Sequence, residues 1–314
     1  MRPDVVMRPR QRWRSLGHVH VAAGEAPAHM THASYPTPLA LPDGRLRVFF
    51  SPRDRAGRST IFSLDLSLDV AGFTRENAPE GPWLESGPTG AFDDAGTSVS
   101  WVGWTPEGGI DCWYLGWSLG VSVPFRTAIG RAGAAPGAQR MTRVSFAPAL
   151  DRNDVDPLSL GYPWLLPGLG GWSIWYGTHR CPPHDGRAVD HVIRRACSAD
   201  GGGTWRRDAA PALIQATPEE WALSRPSVVQ DSAGWHMWYC RRLHAYRLGY
   251  AHSPDGIRWT RADDAICFVT PETEWELGSR SYPAVFDHAG RRWMLYNGAG
   301  YGRTGFGLAV LEED

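Results

Sequence analysis

Apolar and polar residues alternate along this chain in short stretches, and the most apolar stretches end on an aromatic residue. Five such cores recur, namely Val48-Phe49-Phe50, Cys112-Trp113-Tyr114, Ile174-Trp175-Tyr176, Met237-Trp238-Tyr239 and Met294-Leu295-Tyr296. The intervals between their last residues are 64, 62, 63 and 57, so a unit of about 60 residues is repeated five times. Alternation over stretches this short is typical of β-strands.

Each core lies in a predicted β-hairpin. Prolines precede four of the cores by 13 or 14 residues, at Pro36, Pro163, Pro226 and Pro283. In every repeat a glycine-containing turn lies between this position and the aromatic core. In the second repeat, Thr97-Ser98 stands where the other repeats have the proline. Because another alternating segment follows each hairpin, every repeat predicts three or four antiparallel strands.

Radial packing of these repeats predicts an all-β protein, a five-bladed β-propeller that forms a single domain over residues 1–314. The predicted blades span approximately residues 32–88, 91–147, 151–214, 219–270 and 274–314. The last repeat ends one strand short. We expect the isolated strand at residues 13–22 to complete it, which closes the ring and removes an exposed strand edge.

Composition narrows the classes of function. With 42% apolar residues, 36 glycines, 25 prolines and 16 tryptophans, the chain is a globular protein of many short strands. With a net charge of −1, the chain has no general electrostatic attraction to nucleic acid. No stretch is long and apolar enough to cross a membrane, residues 1–14 lack a signal sequence, and the five cysteines are scattered, so we expect a cytoplasmic protein with reduced thiols and no membrane partner.

Neither a metal nor a cofactor is predicted. The segment Cys181-Pro182-Pro183-His184, with His179 and His191 nearby, matches zinc-ligand spacing poorly. The sequence leaves the oligomeric state open.

Chain topology predicts which polar residues meet. In a blade whose innermost strand comes first, the segment leading into strand one and the loop from strand two to strand three lie at the same end, which we call the mouth. Acidic, arginine and aromatic residues fall there, a mixture that suits a sugar-like small molecule. The predicted substrate-binding residues are His32, Arg53, Asp54, Trp117, Arg126, Arg225, Arg242, Tyr246, Glu276, Arg280, Asn297 and Tyr301.

Turns at the opposite end carry the first resemblance. Residues 198–205, Ser-Ala-Asp-Gly-Gly-Gly-Thr-Trp, resemble the Asp-box of sialidases and other propellers, and residues 253–259 are a shortened version. There we expect the aspartate to cap backbone N–H groups and the tryptophan to pack between blades. With residues 224–229 and 248–259, the repeats look like the propeller glycosidases, a superfamily of β-fructosidases, arabinanases with β-xylosidases, and mannoside phosphorylases.

This resemblance covers most of the chain from His32 onward and implies an enzyme that acts on sugars. Glycoside hydrolysis uses two carboxyl groups. The first choices are Asp93 and Asp94, which lead into the second repeat, and Asp156, which precedes Pro157. Asp54 and Glu276 are the reserves. Each first choice has a structural alternative, because aspartate beside glycine or proline commonly caps a turn.

Two features depart from the resemblance. The fructosidase and arabinanase families place a catalytic aspartate on the first strand of blade one, where this chain has His32-Ala33-Ser34. We expect His32 either to bind substrate or to take over a proton transfer, a structural role being the alternative. Several arginines map to the mouth, and they indicate an anionic substrate unless they hold the mouth acids in place.

The sequence therefore predicts a glycoside hydrolase-like enzyme that uses paired carboxylates on a sugar or sugar-containing molecule. Three alternatives stay open. One is a phosphorylase, since an attacking phosphate needs cationic ligands. Another is a recruited lyase, isomerase or cyclase, and the last is a carbohydrate-binding propeller without catalysis.

Overall fold

The protein is described by a computed structural model that covers residues 10–21, 30–69, 71–168, 170–180, 190–276 and 278–312. Within these ranges the chain is nearly all β, with a short 3₁₀ helix at Asp263–Ala265 and a single helical turn, α1, at Ala299–Gly302. The strands of the first half are β1 Gln11–His20, β2 Thr31–Ala40, β3 Leu46–Arg53, β4 Ile61–Leu68, β5 Phe73–Arg75, β6 Glu80–Leu84, β7 Gly96–Trp104, β8 Ile110–Leu119, β9 Phe125–Ala134, β10 Thr142–Arg143 and β11 Leu160–Leu166.

The second half continues the same pattern of long strands followed by a very short one. Its strands are β12 Trp172–His179, β13 His191–Ser198, β14 Arg206–Arg207, β15 Ala222–Asp231, β16 Gly234–Arg242, β17 Tyr246–Ser253, β18 Thr260–Arg261, β19 Ile266–Phe268, β20 Ser281–His288, β21 Arg291–Asn297 and β22 Phe306–Leu311.

Strands pair in chain order inside each repeat. The first repeat has the order β2-β3-β4-β5 with β6 also on β4, and the second has β7-β8-β9-β10. The third and fourth repeats, β11-β12-β13-β14 and β15-β16-β17-β18, are joined into one sheet by a single parallel bridge between His191 and Ala222. Each repeat is thus an antiparallel meander, as the hairpin signals predict.

The five aromatic cores form the buried centre of these meanders. All fifteen of their residues are at most 1% exposed. Alternate side chains of a strand point to opposite faces of its sheet, so a run that is buried throughout must have packed layers on both sides. The predicted cores are therefore confirmed as the hydrophobic core.

The first strands of the repeats contact one another in sequence. β2 contacts β7, β7 contacts β11, β11 contacts β15, β15 contacts β20, and β20 contacts β2 again. Residues at the starts of these strands are therefore brought close together although they are up to about 250 positions apart in the chain.

The N-terminal strand joins the last repeat. β1 pairs antiparallel with β22, from Trp13 opposite Leu311 to His20 opposite Phe306, and its other edge pairs in parallel with β19. The predicted pairing of residues 13–22 with the last repeat is confirmed over the described residues, with Ala22 outside them. The fifth sheet consequently contains strands from both ends of the chain.

Both Asp-box turns have the predicted structural role. Asp200 accepts a hydrogen bond from the Thr204 amide (2.9 Å), and the ring of Trp205 meets that of Trp113 edge-on at 5.6 Å, between the second and third repeats. In the shorter turn, Asp255 accepts hydrogen bonds from the amides of Ile257 and Arg258. These turns therefore stabilise the packing of neighbouring repeats.

Candidate functional site

Four of the first strands carry a β-bulge at the same place. The residue before the proline has a positive φ in each case, at Tyr35 (60°), Tyr162 (56°), Arg225 (51°) and Tyr282 (52°), and strand pairing shifts register there. Proline lacks an amide donor and is tolerated in sheets at bulges, while a bulge redirects the side chain. The sequence motif of the repeat thus presents four large side chains towards one another.

Three tyrosines and Arg225 meet where the first strands converge. The ring of Tyr35 lies 4.7 Å from that of Tyr282 and 5.5 Å from that of Tyr162. Arg225 is fully buried, and its guanidinium lies over the Tyr35 ring at 5.9 Å. Side chains therefore fill the space between these first strands.

Arg225 also ties three repeats together. Its Nη1 donates to the carbonyl of Ser100 on β7 (2.7 Å), and its Nη2 donates to Thr37 Oγ1 (2.8 Å) and to the carbonyl of Pro36 (3.4 Å) on β2. Burial lowers the pKa of Arg225 to about 10, which still leaves it charged at neutral pH. The sequence predicts Arg225 as a substrate ligand; in the structure its side chain is fully buried and donates to two neighbouring repeats.

The first-choice carboxylates lie inside their own repeats. Asp93 is 0% exposed and accepts hydrogen bonds from Tyr114 Oη (2.9 Å) and Arg143 Nε (2.8 Å). Tyr114 ends the aromatic core of the second repeat, and Arg143 is the second residue of β10. The carboxylate thus joins the lead-in segment to the second and fourth strands, an arrangement we call the clasp.

Asp156 forms the same clasp in the third repeat. It is 0% exposed, accepts a hydrogen bond from Tyr176 Oη (2.7 Å), and lies 3.1 Å from Arg194 Nε and 3.3 Å from Arg207 Nη1. Arg207 is the second residue of β14, as Arg143 is of β10. The Asp156 carboxylate is thus removed from solvent and faces two guanidinium groups and a phenol.

Versions of the clasp recur in the last two repeats. Glu220 accepts a hydrogen bond from Arg261 Nη2 (2.8 Å), and Arg261 is again the second residue of its short strand. The predicted substrate ligands Glu276 and Arg280 pair with each other at 2.7 Å. Burial by itself raises the pKa of Glu276, but hydrogen bonds from Arg280, Thr273 and Tyr296 lower it overall.

Two arginines, Arg53 and Arg303, act electrostatically on His32, a residue predicted to bind substrate. His32 is the second residue of β2 and has a positive φ of 63°, an uncommon conformation for a residue other than glycine, and its Nδ1 lies 2.9 Å from Thr31 Oγ1. Burial, followed by the positive charges of Arg53 and Arg303, lowers the pKa of His32 to about 4. His32 is therefore neutral at pH 7 and stands in a cationic environment.

Neither arginine beside His32 is neutralised by a carboxylate in the described part of the chain. Arg53 lies over the ring of Trp117 at 5.8 Å, and Trp117 in turn donates from Nε1 to Ser59 Oγ (2.9 Å). Cationic groups in this state favour the binding of an anion. The sequence predicts Arg53 and Trp117 as ligands but passes over Arg303.

Arg242, a residue predicted to bind substrate, packs among three aromatic residues. Its guanidinium lies 4.1 Å from the ring centre of Trp221, 5.1 Å from that of Tyr246 and 5.9 Å from that of Tyr301. The structure thus brings the predicted residues Arg242, Tyr246 and Tyr301 together. Trp221, which the sequence analysis passes over, completes the group.

The remaining predicted residues make contacts outside the groups around His32 and Arg242. Asp54 accepts hydrogen bonds from Arg58, and Asp94 accepts one from the amide of Gly90, so both cap turns. Asn297 is fully buried and links the amide of Tyr35 to the carbonyl of Gly305. Arg126 lies exposed at the start of β9.

The imidazole rings of His179 and His191 pack against each other. The ring centres of His179 and His191 are 4.2 Å apart. Burial lowers the pKa of His179 to about 4, with Asp190 opposing the shift, and burial together with His179 and Arg242 lowers the pKa of His191 well below its usual value. No cluster of three or more potential metal ligands occurs among the described residues, and residues 181–184 of the poor zinc match lie outside them.

These histidines predict a loss of stability in mild acid. Unfolded histidine has a pKa near 6.5, so as pH falls the unfolded chain takes up protons that folded His32 and His179 refuse until about pH 4. The contribution of these neutral histidines to the free energy of unfolding is complete above pH 6.5 and is lost progressively as the pH falls towards 4. At ~1.4 kcal/mol per pKa unit, we expect His179 to contribute about 2–3 kcal/mol of this loss.

Urea unfolding measured from pH 8 to pH 4 tests this expectation. His179→Gln should flatten the decline in free energy of unfolding, whereas His244→Gln, at an exposed position in the β16–β17 loop, should leave its slope unchanged. Equal slopes for the wild type and His179→Gln would contradict the assignment of a buried neutral imidazole.

No helix among the described residues is long and apolar enough to span a membrane.

Comparison with known proteins gives close relatives and distant structural neighbours. The chain is 38% identical over 302 residues to the uncharacterized protein MT1551 of Mycobacterium tuberculosis strain CDC 1551 and to the uncharacterized protein Rv1502 of strain H37Rv. Each alignment covers 96% of this chain and 99% of the relative. No family model matches the sequence.

The structural neighbours include enzymes that act on sugars. A structure named glycoside hydrolase superposes with a TM-score of 0.73 at 14% identity, covering 96% of this chain and 92% of its own. A glycoside hydrolase of the mannoside phosphorylase family GH130, which targets β-1,2-mannosidic linkages, superposes with a TM-score of 0.69 at 13% identity over 99% and 95% of the two chains. Sucrose-6-phosphate hydrolase from Lactobacillus gasseri has a TM-score of 0.66 at 13% identity over 94% and 63%. These identities show a shared fold.

Proposed function

Since the chain belongs to the family of the Mycobacterium tuberculosis protein MT1551 and has the fold of the propeller glycosidases, we propose that it acts on a sugar derivative carrying an anionic group. The single observation that carries this proposal is the state of His32. It is a neutral imidazole in a strained backbone conformation beside two arginines that no described carboxylate neutralises.

The proposed fold has five blades around one axis, with β1 closing the ring. The cyclic contacts of β2, β7, β11, β15 and β20 support this arrangement, as does the pairing of β1 with β22. In it the loops β3–β4, β16–β17 and β21–β22 surround a single mouth. His32, Arg53, Arg303 and Arg242 then belong to one binding site.

His32 is the proposed proton-transfer group of this site. Its low pKa leaves it unprotonated but weakly basic at neutral pH, and burial followed by Arg53 and Arg303 causes that low value. An anion bound between the arginines offsets their charge, so the pKa of His32 should rise towards its usual value when ligand is present. Ligand binding would thereby make His32 a stronger base where it faces the substrate, and general base catalysis is typically worth 10²–10⁴ in rate.

Hydrolysis by paired carboxylates has less support from the geometry. Asp93 and Asp156 are both 0% exposed and engaged in clasps. A phosphorylase is the second candidate, because Arg53 and Arg303 are also suitable ligands for an attacking phosphate. Since both candidates use the same cationic site, phosphate dependence separates them.

A substrate screen tests the proposal. Wild-type protein and His32→Gln are incubated with aryl glycosides of neutral sugars, uronic acids and sugar phosphates, each with and without inorganic phosphate. We expect turnover of anionic substrates only, and a fall of about 100-fold in kcat for His32→Gln with similar KM. Turnover confined to reactions with phosphate would select the phosphorylase.

Two outcomes would overturn the proposal. Efficient hydrolysis of neutral glycosides that His32→Gln retains and Asp156→Asn loses would restore the carboxylate mechanism. Tight binding of a sugar without turnover of any substrate would indicate a carbohydrate-binding propeller. Circular dichroism of each variant separates loss of activity from loss of fold.

A further inference from the structure

Arg242 is packed among three aromatic rings. The rings of Trp221, Tyr246 and Tyr301 surround its guanidinium at 4.1, 5.1 and 5.9 Å, and we call these four residues the arginine box. Stacking of this kind covers the apolar faces of a guanidinium, while its N–H donors remain in the plane of the group. The box therefore holds the donor edge in a fixed direction.

No ion pair or side-chain hydrogen bond occupies that edge within the described ranges. The neighbouring Arg241 differs, since its Nη1 lies 3.5 Å from Asp263 and 3.8 Å from Glu220 in the clasp. Consecutive side chains of a strand point to opposite faces. Arg241 thus pairs with carboxylates of its own repeat. Arg242 points to the opposite face of the strand, where no described side chain pairs with its donors.

Two titratable groups that interact with Arg242 carry no negative charge. One is His191, whose pKa is lowered by burial, by His179 and by Arg242. Tyr246 is a phenol whose pKa burial raises further, so it is neutral at pH 7. An anion at the donor edge would meet no like charge from these groups.

The arginine box and the His32 site share one loop. Tyr301 of the box and Arg303 beside His32 are two residues apart, between β21 and β22, so their Cα atoms are at most about 7 Å apart. The Tyr301 carbonyl also accepts a hydrogen bond from Ser34 of β2. One short loop therefore connects the two groups of residues.

We infer that Arg242 is a second anion-binding site of the mouth, one that takes a phosphate or carboxylate group of the ligand through the guanidinium edge while Tyr301 packs against the sugar. This inference rests on the proposed function, because it names the residue that selects the anionic group of the same ligand. Tyr301, which is 44% exposed, supplies the accessible aromatic surface.

Binding of defined probes tests the inference. Glucose, glucose 6-phosphate, glucose 1-phosphate and glucuronic acid are titrated calorimetrically into the wild type, Arg242→Gln, Arg242→Lys and Arg140→Gln. Arg140 is the matched control, an arginine whose side chain is 74% exposed in a turn away from the mouth. We expect Arg242→Gln to weaken binding of an anionic probe by at least about tenfold and Arg242→Lys by somewhat less, since lysine keeps the charge and loses the fork. Arg140→Gln should match the wild type.

The outcomes separate this inference from the proposed function. If Arg242→Gln binds the anionic probe as tightly as the wild type does, while Arg53→Gln or Arg303→Gln loses it, the inference is overturned and the proposed function stands. If the wild type binds none of the anionic probes, or binds glucose equally well, both are overturned. A phosphate preference over glucuronic acid identifies the group as phosphate, and the reverse identifies a carboxylate.

Discussion

Replacing Arg225 with alanine is expected to lower the free energy of unfolding by about 3–4 kcal/mol, measured by urea denaturation. The reason is its position at the convergence of the first strands, where it is fully buried and donates to Ser100, Thr37 and Pro36. Alanine leaves a cavity and deprives buried oxygen atoms of their donor, and both effects are costly in a packed interior.

Two further variants make the test specific. Thr37→Val removes one acceptor of Arg225 with little change of volume, so it should cost about 1 kcal/mol. Arg258→Ala removes an arginine whose side chain is 84% exposed and should change stability by less than ~0.5 kcal/mol. If Arg225→Ala were as stable as Arg258→Ala and instead lost affinity for ligand, Arg225 would be a binding residue, as the sequence predicts.

The second large effect concerns Asp156. Asp156→Asn keeps the shape of the side chain and removes its charge, which leaves Arg194 and Arg207 beside a neutral amide. The side chains of these arginines are only 15% and 5% exposed. Breaking a buried ion pair from one side typically costs 3–5 kcal/mol, so we expect the free energy of unfolding to fall by about 3 kcal/mol.

Asp43→Asn is the matched control for this substitution. Asp43 pairs with Arg45, but half of its side chain is exposed, so Asp43→Asn should change the free energy of unfolding far less than Asp156→Asn does. Asp93→Asn should behave like Asp156→Asn because Asp93 forms the equivalent clasp with Arg143. An Asp156→Asn protein of unchanged stability that lost turnover would show that this carboxylate serves catalysis.

The repeated hairpins could be predicted from the sequence because their signals are local. An aromatic core, a glycine turn and a proline recur at a constant spacing, and burial of the cores follows directly from their apolar runs. The pairing of β1 with β22 followed from counting strands in the last repeat. These features need no knowledge of side-chain partners.

The state of the carboxylates could not be derived in this way. Arg143 pairs with Asp93 across 50 positions and Arg261 with Glu220 across 41, through strands of only two residues. Strands that short carry no hydrophobic period. A signal did exist, since an arginine ends each of Thr142-Arg143, Arg206-Arg207 and Thr260-Arg261 at a similar place in the repeat. No repeated signal of this kind marks Arg303 or Trp221, because both lie in loops that have no repeated sequence pattern.

The bulges of the first strands have a consequence for how this architecture can diversify. Three of the four bulge positions hold tyrosine and the fourth holds arginine, on nearly the same backbone. Because the bulge and the following proline fix that backbone, strand register is the same whether the position carries tyrosine or arginine. The contacts between repeats do change with the residue, since Arg225 donates to two other repeats. An exchange between tyrosine and arginine at such a position would therefore alter how the repeats are held together while each hairpin keeps its pairing.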